Sequence, residues 1–351
     1  MAHAARRRET ASGWAFIAPM LVVLGLFLVV PVLMAAWVSV SDWNGRGSPL
    51  SSDVGFVGLD NYRDLLLGGG LATQDFGTAL RNNVYYVLLV VPLQTALALF
   101  LASMVNRKAL RGRGFFRTAF YFPSVTSSVA ITVLWLFLFS ASGTVNAVLA
   151  KLSITGPNWF NEPRGVIHLL LGTVGVDSAP AALAQHGFLG IPFWQWLAGP
   201  SVAMTAFILL AIFTTSGTFM LLFLAALQAI SGEVEEAAVM DGTSAWQRFR
   251  LVTLPMLKPT VFTVITLGLI GTWQVFDQIY TGTQGGPAKT TLTPAYLSYN
   301  AAFANNQWGR GAAIAFVLFA IIVLFTVLQR FALRERGVPR RKRFYTDGVP
   351  R

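Results

Sequence analysis

The sequence predicts an all-α, polytopic membrane protein with six transmembrane helices, and two observations carry that prediction. The first is composition: of the 351 residues, 54% are hydrophobic and only 12% are charged, roughly half the charge of an average soluble domain. The second is that six stretches are apolar enough to cross a hydrocarbon core, which takes about 20 residues each. Together they exclude a disordered chain, a coiled coil and a soluble enzyme of this length.

None of the six apolar runs holds a lysine or arginine in its middle. In chain order they cover residues 14–40, 83–105, 115–139, 201–227, 260–280 and 311–331. The first run follows Arg6, Arg7 and Arg8, as a secretory signal peptide would. It is, however, about twice as long as a typical signal core, and no convincing cleavage site follows. We therefore interpret it as an uncleaved span.

The distribution of positive charge predicts the topology. If the N-terminus is cytoplasmic and six spans alternate, nineteen of the 26 lysine and arginine residues lie on the cytoplasmic side. The seven on the outer side are balanced by seven acids. This asymmetry satisfies the positive-inside rule, so both termini are expected in the cytoplasm. The net charge of +11 then reports orientation, and a nucleic-acid partner is disfavoured.

The residues between spans three and four, 141–200, are ambiguous. They contain two apolar runs, 166–176 and 191–197, each too short to cross alone. We expect a long external insert with an amphipathic or interfacial helix, because tryptophans such as Trp194 and Trp196 favour the headgroup level. The predicted organisation is a cytoplasmic tail (1–13), a transmembrane domain (14–334) and a basic cytoplasmic tail (335–351).

The loop between spans four and five, residues 228–259, carries the most specific pattern. From Glu233 to Met240 most residues are good helix formers, with acids in the first turn where the helix dipole favours them. Asp241-Gly242 then interrupts the run, because glycine favours the left-handed position just past a helix end.

A second helix is predicted to begin at Ser244. Gln247, three residues later, would complete a capping box, and Leu254-Pro255 would end the helix. The pattern therefore predicts a helical hairpin on the cytoplasmic face. Its apolar docking surface would consist of Trp246, Phe249 and Leu251.

Eight positions of this hairpin resemble the EAA motif of binding-protein-dependent ABC importer permeases, in the usual spacing of that family. They are Glu236, Ala237, Ala238, Asp241, Gly242, Phe249, Leu254 and Pro255. The alternative is an ordinary amphipathic loop that covers helix ends. The fixed positions extend over about twenty residues between two spans, which favours the motif.

Segments outside the hairpin resemble carbohydrate permeases of the maltose and glycerol-3-phosphate type. These segments are residues 16–19, 41–44, 56–62, 276–280 and 285–287. The similarity covers about residues 14–334, and the N-terminal pattern is closer to the first of the two permeases in such systems. Residues 166–200 are longer than the usual external connection, so the role of this insert stays open.

The resemblance implies the type I ABC importer permease fold in a bacterial cytoplasmic membrane. A second permease would complete the pore, two ATPase subunits would bind the cytoplasmic face, and an extracytoplasmic binding protein would deliver a carbohydrate, either an oligosaccharide or a disaccharide. The eight motif residues would couple this chain to the ATPase. The chain itself would bind no cofactor, since ATP and Mg²⁺ belong to the ATPase subunits. The alternative substrate is glycerol-3-phosphate or another polyol phosphate.

Polar side chains inside spans are costly and are functional candidates by default. The residues expected to line a substrate pathway are Asn82, Asn83, Gln94, Trp273, Gln274, Phe276, Asp277 and Tyr280. Gln274 and Asp277 are three residues apart and are predicted to share a helix face. Amide or carboxylate hydrogen bonds with an aromatic plate would suit a polyol. The alternatives are hydrogen bonds between helices and aromatic anchoring at the interface.

Other chemistries find little support. Residues 285–290 faintly resemble a phosphate loop, but an alanine precedes the lysine where a glycine belongs, and the segment is external. His168 and His186 lie far apart in the sequence with no cysteine or acid cluster nearby, so no metal site is expected.

A proton-coupled secondary transporter would need a buried relay, for which Asp277 is the only acid near an apolar stretch. A membrane enzyme would need paired carboxylates or a nucleophile, and neither constellation is evident.

Overall fold

The computed structural model describes residues 2–107, 110–176 and 178–332. Five helices in these residues are long and apolar enough to cross a membrane, or six if one sharply bent pair is counted as a span. The prediction of a mostly helical, polytopic fold is confirmed. The predicted C-terminal tail, residues 335–351, lies outside the described residues.

The first span is a single rod of two helices joined by a π-helical turn. The rod consists of α1 (Ala2–Leu24), the turn Gly25–Val29 and α2 (Val30–Ser39). Pro31 lacks an amide hydrogen, and just before it the Val30 amide donates to Gly25 five residues back, the wider π pattern. Residues 2–13, predicted to be a separate tail, continue the helix of this span.

The second span begins earlier than predicted. It is preceded by α3 (Asp60–Leu66) and runs as α4 (Leu71–Asn106). Its 36 residues correspond to about 54 Å of helix at 1.5 Å per residue. The first turns of α4 are polar and project beyond the apolar run, so hydropathy alone did not reveal them. Thr73 Oγ1 donates to the Asp64 carbonyl over 2.8 Å and joins the two helices.

The third span, predicted as one helix over residues 115–139, is broken. It consists of α5 (Arg113–Val125) and α6 (Ser128–Leu138), which meet at 98°. Hydroxyl groups replace the missing amide donors at the end of α5: Ser124 Oγ donates to the Tyr121 carbonyl (2.6 Å), and Thr126 Oγ1 donates to the Phe122 carbonyl (3.0 Å). Because hydrocarbon offers no partner for a free carbonyl, these bonds allow the break.

The external insert folds into short elements. They are α7 (Thr144–Lys151), a 3-10 turn (Trp159–Asn161), α8 (Val166–Thr173), α9 (Ala181–Gln185), the antiparallel strands β1 (Gly187–Phe188) and β2 (Ile191–Pro192), and α10 (Phe193–Trp196). The apolar run that forms α8 has 8 residues, too few to cross a bilayer. Arg164 hydrogen-bonds Glu162 and thereby lowers the pKa of that carboxyl group.

The fourth span is α11 (Val202–Gln228), close to its predicted bounds. The Ser201 hydroxyl caps it by accepting the Met204 amide over 3.0 Å. This helix packs along α4 and against α5, and its side chains Phe207 and Met220 are fully buried. The core of the protein therefore lies along α4 and α11.

The remaining helices complete the fold. They are α12 (Gly232–Met240), α13 (Ala245–Arg248), a π-helical turn (Phe249–Thr253), α14 (Leu254–Met256), α15 (Lys258–Trp273), α16 (Asp277–Gly282), α17 (Pro294–Tyr299), a second π-helical turn (Asn300–Ala304) and α18 (Trp308–Ala332). The last helix packs against α2, α15 and α17.

The fifth span is found over Lys258–Gly282, close to its predicted bounds, but one prediction about the hairpin is wrong. Leu254-Pro255 does not end the second helix of the hairpin, because Pro255 stands in the first turn of α14, where its missing amide is tolerated. The π-helical turn just before it carries the chain from α13 into α14. The fifth span, predicted over residues 260–280, is interrupted between Trp273 and Asp277.

We expect Gly217→Ala to destabilise the protein by about 1–3 kcal/mol, the usual range for overpacking. A methyl group at Gly217 in α11 would meet the Phe120 carbonyl and the Tyr121 backbone of α5, neither of which can rotate away. Gly13→Ala is the matched control, since nothing lies within 4 Å of its added methyl group. Thermal unfolding of both purified variants in one detergent checks this; equal melting temperatures would contradict the close approach of α5 and α11.

Candidate functional site

The interruption of the fifth span is stabilised by side chains from other elements. Asn83 Nδ2 of α4 donates to the Trp273 carbonyl over 3.0 Å. Thr293 Oγ1 donates to the Val275 carbonyl over 3.1 Å. These bonds satisfy carbonyl groups that a continuous helix would have satisfied itself. Broken helices of this kind are tolerated at membrane depth where they are packed in protein or line a cavity.

A cavity of about 300 Å³ lies beside this break. Its walls come from α4, α6, α11, α15 and the break itself. The polar lining residues are Tyr86, Gln94, Ser128, Thr215, Thr272, Gln274, Asp277 and Gln278. A second cavity of about 280 Å³ shares Ser128, Thr215 and Gln278 with the first and continues along α5 and α11. The two form one polar groove among apolar helices.

Gln94 is the most deeply placed polar group of the groove. Its side chain is fully buried, and its Oε1 accepts the Thr215 hydroxyl over 2.5 Å. Its Nε2 has no hydrogen-bond partner among the described residues. A buried amide without a partner is costly, and this one lies in the cavity wall. This nitrogen faces Gly268 of α15 and is shielded from the cavity contents.

Gly268 of α15 makes room for that amide. A Cβ atom at this position would lie 2.5 Å from Gln94 Nε2, inside van der Waals contact. Gly271, one turn further along α15, also lines the cavity, but an added Cβ there would meet nothing within 4 Å. Packing therefore requires a glycine at position 268 but not at position 271.

The predicted pathway residues fall into two groups. Gln94, Gln274, Phe276 and Asp277 line the cavity. Tyr280 lies next to it and stacks on Phe276 with ring centroids 5.4 Å apart. The prediction that Gln274 and Asp277 share a helix face is wrong, because one follows the end of α15 and the other begins α16. The break nevertheless brings both side chains to one cavity.

The other three predicted residues lie in the protein interior. Asn82 Nδ2 donates to the carbonyls of Lys289 (2.9 Å) and Leu292 (3.0 Å), and Asn83 holds the break as described above. Trp273 is 1% exposed and packs against Phe325. These side chains do not line the cavity; they tie α4 and α15 to neighbouring elements.

Sequence reasoning missed several lining residues. Ser128, Thr215 and Gln278 hold polar groups in the groove, and Gln278 Oε1 accepts the Tyr86 hydroxyl over 3.0 Å. One signal was available: residues 214–216, Thr-Thr-Ser, form a polar patch in the middle of an apolar span. Ser128 gives no such signal, because it lines the groove only through the bend between α5 and α6.

An aromatic cluster extends from the cavity along α16 and α17. Its members are Phe276, Tyr280, Tyr296, Tyr299 and Phe303, and neighbouring rings lie 4.9 to 6.4 Å apart. Such spacing is typical of stacked and edge-to-face aromatic pairs. Tyr280 and Phe303 are 42% and 57% exposed, so the cluster presents ring faces at the surface of this chain.

The helical hairpin between the fourth and fifth spans forms as predicted around Gly242. This residue has φ +72°, a left-handed conformation that glycine adopts without strain. The Thr243 hydroxyl and amide both bond the Ala238 carbonyl, at 2.5 and 3.2 Å. Ser244 and Gln247 form the predicted reciprocal capping box. Side-chain and backbone bonds therefore fix the turn between α12 and α13.

Most motif residues lie on the surface of the hairpin. Glu236, Ala237, Asp241, Gly242, Leu254 and Pro255 are exposed, Phe249 is half-buried and Ala238 is buried. Of the predicted docking surface, Trp246 and Leu251 are 68% and 65% exposed, and Trp246 stacks on Phe249 at 5.8 Å. Exposed apolar groups beside exposed acids form a surface suited to another protein.

The described residues contain no group of three or more His, Asp or Glu side chains that could hold a metal ion. His168 stacks on Trp194 with ring centroids 4.4 Å apart, and its Nε2 lies 3.1 Å from the Trp194 carbonyl. His186 Nδ1 lies 3.2 Å from the Ala182 carbonyl. Both histidines serve the packing of the external insert.

Comparison with known proteins assigns the family. Residues 94–336 match the family described as "Binding-protein-dependent transport system inner membrane component". This match includes the hairpin and every lining residue of the groove except Tyr86, and it covers more than half of the chain. The chain belongs to this family, so it is a membrane transport component.

Curated relatives extend the similarity over nearly the whole chain. The lactose transport system permease protein LacF of Rhizobium radiobacter is 33% identical over 335 residues, covering 94% of this chain and 97% of the relative. The multiple sugar-binding transport system permease protein MsmF of Streptococcus mutans is 30% identical, covering 90% and 93%. The trehalose/maltose transport system permease protein MalF of Thermococcus litoralis is 29% identical, covering 92% and 93%.

Solved structures share the fold. A chain from the crystal structure of a bacterial ABC transporter involved in the import of the acidic polysaccharide alginate superposes with a TM-score of 0.71. The match covers 96% of this chain and 100% of that chain, at 17% identity. The type I importer permease fold implied by the sequence resemblance is confirmed.

We expect Gly268→Ala to lower the free energy of unfolding by about 1–3 kcal/mol, because its methyl group displaces the Gln94 amide and breaks the bond to Thr215. Gly271→Ala, on the same helix and facing open space, is the matched control. Thermal unfolding in nanodiscs compares the two. A Gly268→Ala melting temperature equal to that of Gly271→Ala would contradict the tight fit of Gln94 against α15.

Proposed function

We propose that this chain is one of two different permeases that form the pore of an ATP-driven carbohydrate importer. One observation carries the proposal: the chain, a member of this family, has both a polar groove within its membrane spans and an exposed hairpin with the EAA pattern. The similarity to lactose, multiple-sugar and trehalose/maltose permeases supports a disaccharide or oligosaccharide as the substrate.

The chemistry of the groove supports a sugar. Amide, hydroxyl and carboxylate groups line it, and Phe276 adds an aromatic plate beside Gln274 and Asp277. Sugar hydroxyls both donate and accept hydrogen bonds, and the apolar faces of sugar rings suit aromatic surfaces. Gln94, Gln274, Phe276 and Asp277 are the proposed contacts, with Tyr280 at the entrance. We assign Asn82, Asn83 and Trp273 to holding the broken span.

The hairpin supports coupling to ATPase subunits. The proposed coupling residues are Glu236, Ala237, Ala238, Asp241, Gly242, Phe249, Leu254 and Pro255. Small side chains such as Ala237 allow a close approach by a partner, and the stacked Trp246–Phe249 pair offers an apolar contact. ATP and Mg²⁺ act on two partner ATPase subunits, whose closure moves the hairpin and opens the groove to alternate sides of the membrane.

The other proposed partners lie outside the cytoplasm or in the membrane. An extracytoplasmic binding protein delivers the solute, as supported by a related solved complex that contains a periplasmic protein bound to an alginate pentasaccharide. A second permease completes the pore within the lipid of the bacterial inner membrane. The charge asymmetry of the loops supports a cytoplasmic location for both termini. A proton-coupled secondary transporter is set aside, because the chain belongs to a binding-protein-dependent family.

Reconstitution tests this function. We expect the tagged chain, purified from native membranes, to retain a second permease and an ATPase. Proteoliposomes of that complex are then expected to accumulate radiolabelled lactose, maltose or trehalose only with ATP and the binding protein present. Uptake by this chain alone, driven by a proton gradient, would refute the proposal.

Coupling is tested at Gly242 with a pair of substitutions. Valine strains the left-handed turn by about 1 kcal/mol or more, whereas asparagine tolerates that conformation. We expect Gly242→Val to lose at least tenfold of the ATP hydrolysis that sugar and binding protein stimulate, and Gly242→Asn to retain most of it. Membrane levels of both variants are measured by immunoblot. Full stimulation in the valine variant would argue against this turn as a coupling element.

A further inference from the structure

We infer that the groove of this permease selects saccharides by charge, accepting neutral sugars and rejecting those that carry a carboxylate or phosphate group. This inference rests on the proposed transport of carbohydrate and adds a selectivity to it. The residue that sets the selectivity is Asp277, at the start of α16.

The charge of the lining is the first argument. Among the described residues that line the two cavities, Asp277 is the only acid, and none is a lysine, arginine or histidine. The walls from α4, α5, α6, α11 and α15 contribute only uncharged groups. Arg81, Arg164 and Lys289 line a separate external cleft. An anionic solute in the groove would therefore face a carboxylate and no counter-charge.

The second argument concerns the carboxylate itself. Asp277 is exposed at the edge of the groove. The ion pairs formed among the described residues are Arg164–Glu162 and Lys289–Asp75, so no described cation forms an ion pair with Asp277. Two like charges a few ångströms apart repel each other, and the repulsion is strongest at low salt. The repulsion acts on uronic acids and sugar phosphates but leaves a neutral sugar unaffected.

The third argument is the complement of donors and acceptors. Gln274 lines the same cavity as Asp277, and both side chains are exposed. A sugar hydroxyl can accept a hydrogen bond from the Gln274 amide, and a sugar hydroxyl can donate one to the Asp277 carboxylate. A carboxylate can accept from Gln274, but it cannot donate to Asp277 and leaves that group facing another anion.

The charge of the groove distinguishes between the two classes of substrate that the sequence left open, neutral sugars and polyol phosphates. Glycerol-3-phosphate and related polyol phosphates carry up to two negative charges near neutral pH. Their binding in this groove would require a cation, as in known phosphate sites that use arginine or lysine. The groove residues supplied by this chain therefore favour the neutral disaccharide or oligosaccharide over the phosphate.

The test uses the assembled transporter in nanodiscs without the binding protein, so that the selectivity of that protein does not contribute. Binding is measured by scintillation proximity in low salt at pH 7, with and without ATP and vanadate, to sample both orientations of the groove. The probes are the disaccharide that passes the uptake screen, its 6-uronic acid and its 6-amino-6-deoxy derivative. For lactose, both derivatives are made at the galactose ring.

We expect the wild-type complex to bind the neutral sugar at least tenfold more tightly than the acid, and the amine at least as tightly as the neutral sugar. Added salt narrows the gap between acid and neutral sugar. This comparison of three sugars uses only the wild-type complex, so its result remains valid even if a substitution impairs assembly. Equal affinity for the acid, or a reversed order, would overturn the inference.

Asp277→Asn is then expected to reduce the gap between acid and neutral sugar to threefold or less. Asp60→Asn, which removes an exposed carboxylate in α3 away from the groove, is the control and should leave the gap intact. An Asp277→Asn complex that still rejects the acid tenfold would also overturn the inference. A different result would refute the proposed function itself, namely that the wild-type complex imports no neutral sugar.

Discussion

The structure depends on one constraint: in lipid, each backbone carbonyl that a helix leaves free must find a partner within the protein. Two of the spans are broken, and in both the freed carbonyls accept hydrogen bonds from side chains. Ser124 and Thr126 act within the chain at the end of α5. Asn83 and Thr293 act from other elements at the end of α15. Both breaks border the groove, which Ser128 lines from the start of α6 and Gln274 from the end of α15.

The same bonds explain why polar residues in this membrane domain serve two different purposes. Asn82 and Asn83 are adjacent in α4, yet both use their amides to fix neighbouring backbone, at the loop before α17 and at the break in the fifth span. Gln94, about three turns further along the helix, has one half of its amide fixed by Thr215 and the other half without a partner. The amide oxygen of Asn83 is likewise buried without a partner among the described residues, so what separates these residues is position: Asn82 and Asn83 bond the backbone of other elements, whereas Gln94 lies in the cavity wall.

The sequence was sufficient for features that depend on local chemistry. Low charge and six apolar runs predicted the membrane fold, and Gly242, Ser244 and Gln247 predicted the hairpin turn, because capping and left-handed glycine are properties of a few adjacent residues. It was insufficient where distant segments decide. The break after Trp273 depends on Asn83 and Thr293, which are distant in the sequence. The apolar pattern of residues 260–280 therefore predicted an uninterrupted helix where the structure has a break. Likewise, Pro255 looked like a terminator because the π-helical turn before it cannot be recognised from hydropathy.

One consequence of that π-helical turn concerns mechanics. From Ala245 to Trp273 the chain is helical almost throughout, through α13, the turn, α14 and α15. Trp246 at the exposed end and Gly268 beside Gln94 therefore belong to one lever, about 33 Å long at 1.5 Å per residue. A displacement of Trp246 would therefore reach the wall of the groove along a single, nearly continuous helical path. The path ends at the break after Trp273, which the hydrogen bonds from Asn83 and Thr293 hold against neighbouring elements.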